Sequence, residues 1–355
     1  MERPDAVVLG ATGFIGRWLL LELLDQGRPV AAVLRDASPA RADRLRTWLR
    51  EHGGDAAGLT VVAGDIAADG LGLSDADDSR LGSVRDVFNA AGLYRFGLGR
   101  EEARTANVDG ALGAARWAAT RGGLRRAVHV SGYRVSSGAV PRYPLPAAEL
   151  EKLYRVRGAY EASKTEGDAA VRVLAEREGL PLTVVNPSVV IGHSVTGESG
   201  QYIGLADLVR NLWTGRLPAL AGTARTFVPV VTVDHLARFM AAVPEHDPEP
   251  GGAHWVLDED TPYLRDLVRL LAGHLGVRAP RRMVPVGLVR RLPSRLTGVD
   301  AETLTFLSED RYDTRSARRV AEAAGLRKPP VEPALRRWAD RLVAERFGTP
   351  DTRPK

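Results

Sequence analysis

Short apolar runs alternate with longer helical stretches over the first half of the chain. AVVL at Ala6–Leu9, VAAVL at Val30–Leu34 and LTVVA at Leu59–Ala63 are nearly continuous in apolar residues, and Val84–Asn89, Ala127–Val130 and Leu182–Val185 continue the series. A strand with one wet face alternates apolar and polar positions; an unbroken apolar run belongs to a strand covered on both faces. Between these runs Phe14–Gln26, Ala40–His52, Glu101–Thr120 and Ala159–Glu178 read as helices. Strands spaced by helices imply crossover connections, so the pattern predicts an α/β fold with a doubly wound parallel sheet.

After Asn186 the rhythm breaks. Gly192–Gly200 is rich in glycine and serine and reads as a loop, Leu205–Leu212 and Asp234–Ala242 as helices, and Thr226–Val233 as a strand interrupted by Pro229. HDPEPGG at His246–Gly252 is a turn or small linker, followed by a strand at His254–Leu257 and a helix at Tyr263–Leu275. The expected organisation is a nucleotide-binding part over residues 1–190, to which about 226–245 return, and a smaller interleaved substrate-binding region over 191–355.

The 355 residues suit one enlarged domain or two in contact, and 44% hydrophobic with 26% charged residues is a globular balance. The absence of cysteine excludes disulfides, thiolate metal sites and a cysteine nucleophile. The N-terminus MERPDAVVLG has no signal-peptide pattern and no run of 18 apolar residues occurs, so the expectation is a cytoplasmic chain with no integral membrane segment. The formal charge of +5 raises the question of nucleic acid, but the basic residues are interleaved with acids rather than gathered in a stripe, so no nucleic-acid partner is expected.

Gly10-Ala-Thr12-Gly13-Phe14-Ile15-Gly16 follows the first strand directly and opens a helix. Gly10 permits a tight turn, Gly13 lets backbone amides approach a pyrophosphate, and Gly16 allows close helix–strand packing. The helix start then offers unpaired N–H groups and partial positive charge to the phosphates, as in a Rossmann dinucleotide site. At the end of the second strand an acid would hydrogen-bond a ribose 2′-hydroxyl, whereas an arginine would take a 2′-phosphate. Arg35 precedes Asp36 there, which favours NADP(H) and leaves NAD(H) admissible.

Tyr160 and Lys164 are four residues apart on a predicted helix and share one face. A neighbouring ammonium favours the phenolate and so suits the tyrosine to acid–base work. With few tyrosines and lysines in the chain, chance supplies only about 0.09 such pairs, and this one lies on the helix after the fifth strand.

GATGFIG, Gly64-Asp65, Asn89-Ala90-Ala91-Gly92, Asn107-Val108, Tyr160-xxx-Lys164, Asn186-Pro187-Ser188-Val189-Val190 and Val231-Thr-Val-Asp234 together resemble the extended short-chain dehydrogenase/reductases over about residues 5–240. The stretch Asn89–Leu112 looks most like the thioester- and fatty-acyl-reductase (male-sterility-type) branch, with likeness also to dihydroflavonol-reductase-like enzymes. The resemblance implies that Tyr160 gives a proton to a carbonyl oxygen and that Lys164 tunes it and binds the nicotinamide ribose. It implies that Asp65 and Ile66 contact adenine, that Ala90, Ala91 and Gly92 line the adenosine–ribose path, that Pro187 and Val190 hold the carboxamide, and that Asn107 supports a water or helix bend. One departure stands out. The family places a serine or threonine one or two residues beyond Ser131, where this chain has Gly132 and Tyr133. Either Ser131 or the Tyr133 hydroxyl then meets the substrate, or polarisation rests on Tyr160; a Ser131 hydroxyl bonded to its own turn is the structural alternative.

The seven histidines show no metal-binding spacing, no serine sits in a Gly-x-Ser-x-Gly elbow, and Arg17 after Gly16 is no Walker lysine. RRMVPVGLVRRLPSR at Arg281–Arg295 alternates basic and apolar residues; it suits a membrane surface, an acidic pantetheine-phosphate or CoA group, or ordinary surface packing. The expected activity is NADPH-dependent reduction of a small-molecule carbonyl or acyl-thioester. The alternatives are an epimerase or dehydratase with tightly held NAD and a non-catalytic dinucleotide sensor. Helices Glu101–Thr120 and Ala159–Glu178 offer a face for a homodimer.

Overall fold

The computed structural model describes residues 3–95, 97–135, 141–248, 250–289 and 303–348. The chain divides into two compact units, one of Met1–Pro187, Leu236–Val256 and Thr314–Arg327, the other of Ser188–His235, Leu257–Asp313 and Lys328–Lys355. Of the stretch 226–245, residues up to His235 thus belong to the second unit and those from Leu236 to the first.

The first unit alternates β1 (Ala6–Leu9), α1 (Phe14–Asp25), β2 (Val30–Leu34), α2 (Pro39–Glu51), β3 (Leu59–Ala63), α3 (Asp75–Arg80), β4 (Asp86–Asn89), α4 (Arg100–Arg104), α5 (Gly110–Ala119), β5 (Arg126–Val130), α6 (Ala147–Glu178) and β6 (Leu182–Pro187). With Ala253–Val256 the strands form a parallel seven-stranded sheet in the order Ala253–Val256, β6, β5, β4, β1, β2, β3. The chain leaves β1 in one direction and returns to β4 on its other side, so a crevice opens at the carboxyl ends of β1 and β4. Register aligns those ends: Leu9 lies opposite Val33 and Asn89, and Asn89 opposite His129.

Both sheet faces are dry, as the unbroken apolar runs require. Val7, Leu9, Ala31, Val33 and Val62 share a core with Ala111, Leu112, Val171 and Leu174 of α5 and α6. On the other face α1 lies along β1 and β2 and buries Leu19, Leu20 and Leu23 completely. Each such leucine contributes about 1.5–3 kcal/mol.

Three elements differ from their sequence pattern. Glu101–Thr120 is not one helix, because a wider π-type turn at Thr105–Asp109 separates α4 from α5. The helix containing Tyr160 begins earlier, at Ala147, but breaks at Gly158 (φ 77°, ψ 172°), so Ala159–Glu178 is its stretch beyond the break. Such a backbone is open to glycine and strained for any other residue. Of Thr226–Val233 only Val230–Thr232 pairs as a strand, since Pro229 has no N–H to give; its carbonyl accepts the Val189 N–H at 3.2 Å.

The second unit holds two parallel strand pairs, Val189–Ile191 with Val230–Thr232 and Ala219–Ala221 with Arg282–Val284. Helices Leu205–Trp213, Leu264–Leu275 and Val331–Ala344 close its core around Val209, Leu267, Leu271, Leu335 and Trp338. Within Arg281–Arg295, a short helix Val286–Val289 follows the strand, and Arg290–Arg295 lie outside the described residues.

Candidate active site

The glycine turn has the close packing its spacing predicts at Gly10 and Gly16. Gly10 takes φ +81°, and a Cβ there would stand 2.7 Å from the Ala91 Cα and amide nitrogen, so this turn lies directly against Ala90–Ala91 across the crevice. Gly13 donates its N–H to the Gly10 carbonyl at 2.9 Å and caps α1. A Cβ on Gly16 would overlap that same carbonyl oxygen. The first turn of α1 has no side-chain cap and no acidic residue, so its leading amides have no carboxylate competing with a bound pyrophosphate. Thr12 is exposed, and Phe14 and Ile15 are half-buried.

At the end of β2, Arg35 is exposed and forms no ion pair among the described residues. Asp36 is engaged in its own loop: it accepts the Ser38 N–H at 3.0 Å and pairs with Arg41 at 3.0 Å. The Ser38 N–H, foremost, holds its carboxyl below the usual range. After β3, Asp65 accepts the Ala67 N–H at 3.0 Å. Ile66 packs where Gly110 and Gly113 let α5 approach; a Cβ on Gly110 would lie 2.7 Å from its Cδ1.

The chemistry-bearing groups converge past β4 and β5. Lys164 Nζ donates to the Val130 carbonyl at 3.1 Å. Burial pushes its ammonium down to about 8, against the opposing pull of Asp168. A Cβ on Gly92 would stand 3.8 Å from that Nζ and 3.2 Å from Asn107 Oδ1. Asn107 accepts the Leu93 N–H at 3.0 Å and donates to Ser163 Oγ at 3.0 Å, while Ser163 donates to the Tyr160 carbonyl at 2.9 Å. The Tyr160 ring meets Tyr94 edge-on with centroids 5.0 Å apart.

Ser131 is buried, with its N–H on the Val185 carbonyl at 2.8 Å and its Oγ without a hydrogen-bond partner among the described residues. The turn-bonded alternative for this hydroxyl is therefore not seen. Tyr133 is buried; its N–H reaches the Pro187 carbonyl at 3.1 Å and its carbonyl accepts from Trp255 Nε1 at 3.0 Å. The structure thus brings together Gly10, Ala91, Gly92, Lys164, Ser131, Tyr133 and Pro187 at the carboxyl end of one sheet. Val190 lies on Val189–Ile191 of the second unit. Sequence reasoning missed Ser163, Asp168 and Arg172; the last two continue the four-residue spacing from Tyr160 and Lys164, and that repeat was the available signal.

The Gly10 turn, the uncapped α1 start and the buried ammonium together fit a nicotinamide dinucleotide. Among the described residues no group of His, Asp and Glu is arranged to hold a metal ion, and no helix is long and apolar enough to cross a membrane.

The sequence profile of the male sterility protein family matches residues 8–240. The large subunit of L-2-aminoadipate reductase from Penicillium chrysogenum is 29% identical over 70% of this chain, which spans only 19% of that relative's length. Tetraketide alpha-pyrone reductase 1 from Arabidopsis thaliana is 26% identical, covering 75% of this chain and 79% of its own. The crystal structure of the terminal R domain of the myxalamid PKS-NRPS pathway superposes with a TM-score of 0.76 at 22% identity, over 98% of this chain and 92% of that one. The chain belongs to the male sterility protein family of NAD-binding domains and is an extended short-chain dehydrogenase/reductase of the epimerase/dehydratase superfamily.

Proposed function

We propose that this chain is an NADPH-dependent reductase acting on a carbonyl or acyl-thioester carbon, with Tyr160 as proton donor and Lys164 as its partner. The observation that carries this reading is the arrangement of Lys164: a desolvated ammonium tied to the Val130 carbonyl at 3.1 Å, one helical turn from Tyr160 and one strand end from Ser131. A bound nicotinamide supplies the hydride. The amides of α1 and the Gly10 turn hold the pyrophosphate, and Arg35 pairs with a 2′-phosphate that Asp36, engaged with Ser38 and Arg41, does not repel at full strength. Lys164 hydrogen-bonds the ribose and favours the ionised phenol, which lowers the cost of proton release from Tyr160. As hydride reaches the carbonyl carbon, the C=O π pair moves to oxygen and the Tyr160 proton joins it. A ketone or aldehyde then leaves as an alcohol; a thioester, after loss of its thiol, leaves as an aldehyde. The bare Ser131 Oγ supports a second hydrogen bond to that oxygen.

Both curated relatives are named as reductases, which favours net reduction. The test follows NADPH oxidation by its ultraviolet absorbance against aldehydes, ketones and acyl-thioesters. Tyr160→Phe should retain NADPH binding and lose turnover by about a hundredfold or more. Equal turnover of the two proteins would remove Tyr160 from the chemistry.

A further inference from the structure

Tyr160, Lys164, Asp168 and Arg172 recur every four residues along α6 and therefore occupy one face of it. Asp168 is 6% exposed. Its Oδ2 accepts Arg172 Nε at 2.8 Å, and its Oδ1 is buried with no hydrogen-bond partner among the described residues. We propose that Asp168 is the positioning residue of this site: with one oxygen given to Arg172 and the other open on the helix face it shares with Lys164, it serves as the buried counter-charge to the Lys164 ammonium. The proposal rests on the reductase reading only for the use made of Lys164; the coupling itself is a property of the free chain.

Among the described residues this carboxylate is the anion acting on the ammonium, since Glu161, one turn before Lys164, is paired with Arg157 and Arg134. From β5, His129 faces Lys164 and Arg172, and burial together with these two cations pushes its imidazole down to about 3, so it is neutral. Its ring lies 3.3 Å from the Asn89 amide. From the π-type turn comes Asn107, a neutral amide bound to Ser163. From α4, Arg104 is held by Glu166 through Nε at 3.0 Å and a terminal nitrogen at 2.6 Å. The buried side of α5 is alanine, glycine, leucine and tryptophan. The direct hydrogen bond of Lys164 goes to a neutral carbonyl, which orients the ammonium without supplying a counter-charge. Among the described residues, Asp168 is the carboxylate that raises the Lys164 value against the effect of burial.

The chain has only four lysines (Lys152, Lys164, Lys328 and Lys355), so an amine-reactive probe can be mapped to Lys164 unambiguously. The experiment labels the cofactor-free chain with trinitrobenzenesulfonate across pH and reads the midpoint of Lys164 modification by peptide mass. The wild-type midpoint should lie near 8. Asp168→Asn should lower it by about one unit, and Asp168→Glu should restore it. Arg172→Gln should move it the other way, upward, because the carboxylate is no longer shared and a nearby cation is gone. If Asp168→Asn does not fold, Arg172→Gln carries the test alone. An unmoved midpoint in Asp168→Asn, or a downward shift in Arg172→Gln, would overturn the proposal. No cofactor or substrate is present, so failure of the reductase reading leaves this result standing, and the reverse.

Discussion

Replacing Lys164 by methionine should make the free protein more stable while weakening its hold on NADPH. The ammonium sits at about 8 instead of its usual 10.5, because burial strips it of water. At about 1.4 kcal/mol per unit, the charged form is disfavoured in the folded chain by about 3 kcal/mol. The folded value lies below the unfolded one, so the unfolded chain binds more protons between the two. The penalty is therefore complete below pH 8, relieved as pH climbs toward 10.5, and absent above. Methionine has similar length and no charge, but it loses the hydrogen bond to the Val130 carbonyl, worth about 1 kcal/mol. Asp168 is not stranded, since Arg172 remains 2.8 Å away. The net expectation is a gain of about 1–2 kcal/mol at neutral pH, shrinking as pH is raised to about 10. Urea unfolding followed by tryptophan fluorescence at both pH values measures it. A variant less stable than wild type at neutral pH, or a difference that ignores pH, would refute the account of a desolvated lysine.

Four further substitutions probe the site and its surroundings. Gly16→Ala puts a Cβ into the Gly10 carbonyl, so α1 must withdraw; it should cost about 1–3 kcal/mol in urea unfolding and at least about tenfold in dinucleotide affinity. Unchanged binding in a fluorescence titration would contradict the close helix–turn contact. Arg104→Met leaves Glu166, 2% exposed, with only the Tyr154 hydroxyl at 2.8 Å among the described residues. It should destabilise by about 3 kcal/mol, whereas Glu166→Gln, which strands no buried charge, should cost clearly less. Arg35→Ala should weaken NADPH binding by about tenfold or more and leave NADH binding unchanged, a loss the two dissociation constants measure directly; equal losses for both would assign the 2′-phosphate elsewhere.

Much of this site was legible because its residues carry local signals. β1, β2 and β3 are bounded in the structure where their apolar runs begin and end, and Gly10 and Gly16 meet the tight turn and close helix packing read from their spacing. Legibility fails where a distant partner decides the conformation. Within Glu101–Thr120 only the resemblance, through Asn107, points to a bend; the apolar pattern runs through the π-type turn, which is accommodated by Gly167 on another helix, where a Cβ would overlap the Asn107 carbonyl. Helical residues continue past Gly158 toward the N-terminus, and only the backbone shows that the axis breaks there. For Ser131 the sequence leaves a substrate-facing hydroxyl and a turn-bonded one both open, and its lack of a partner among the described residues depends on the packing of β5 against β6.

The same distant contact explains how a neutral framework comes to hold a charged pair. Gly167 lets α6 approach the π-type turn, and that approach brings Asn107 within 3.0 Å of Ser163. Ser163 in turn bonds the Tyr160 carbonyl, and Asn107 bonds the Leu93 N–H beside Gly92. At this contact the helix face carrying phenol and ammonium is thus joined to the loop at Leu93 through amide and hydroxyl groups. Had an ion pair done this work, its charges would have competed with Asp168 for control of Lys164, at distances where one opposite charge shifts a titration by one to three units or about that. A residue such as Asp in place of Asn107 would keep the acceptor that meets Leu93, lose the donor to Ser163, and place a second anion near the ammonium. Its signature would be a rise in the Lys164 labelling midpoint together with looser binding of the dinucleotide. Separating those two effects is the way to tell charge control from mere alignment at this position.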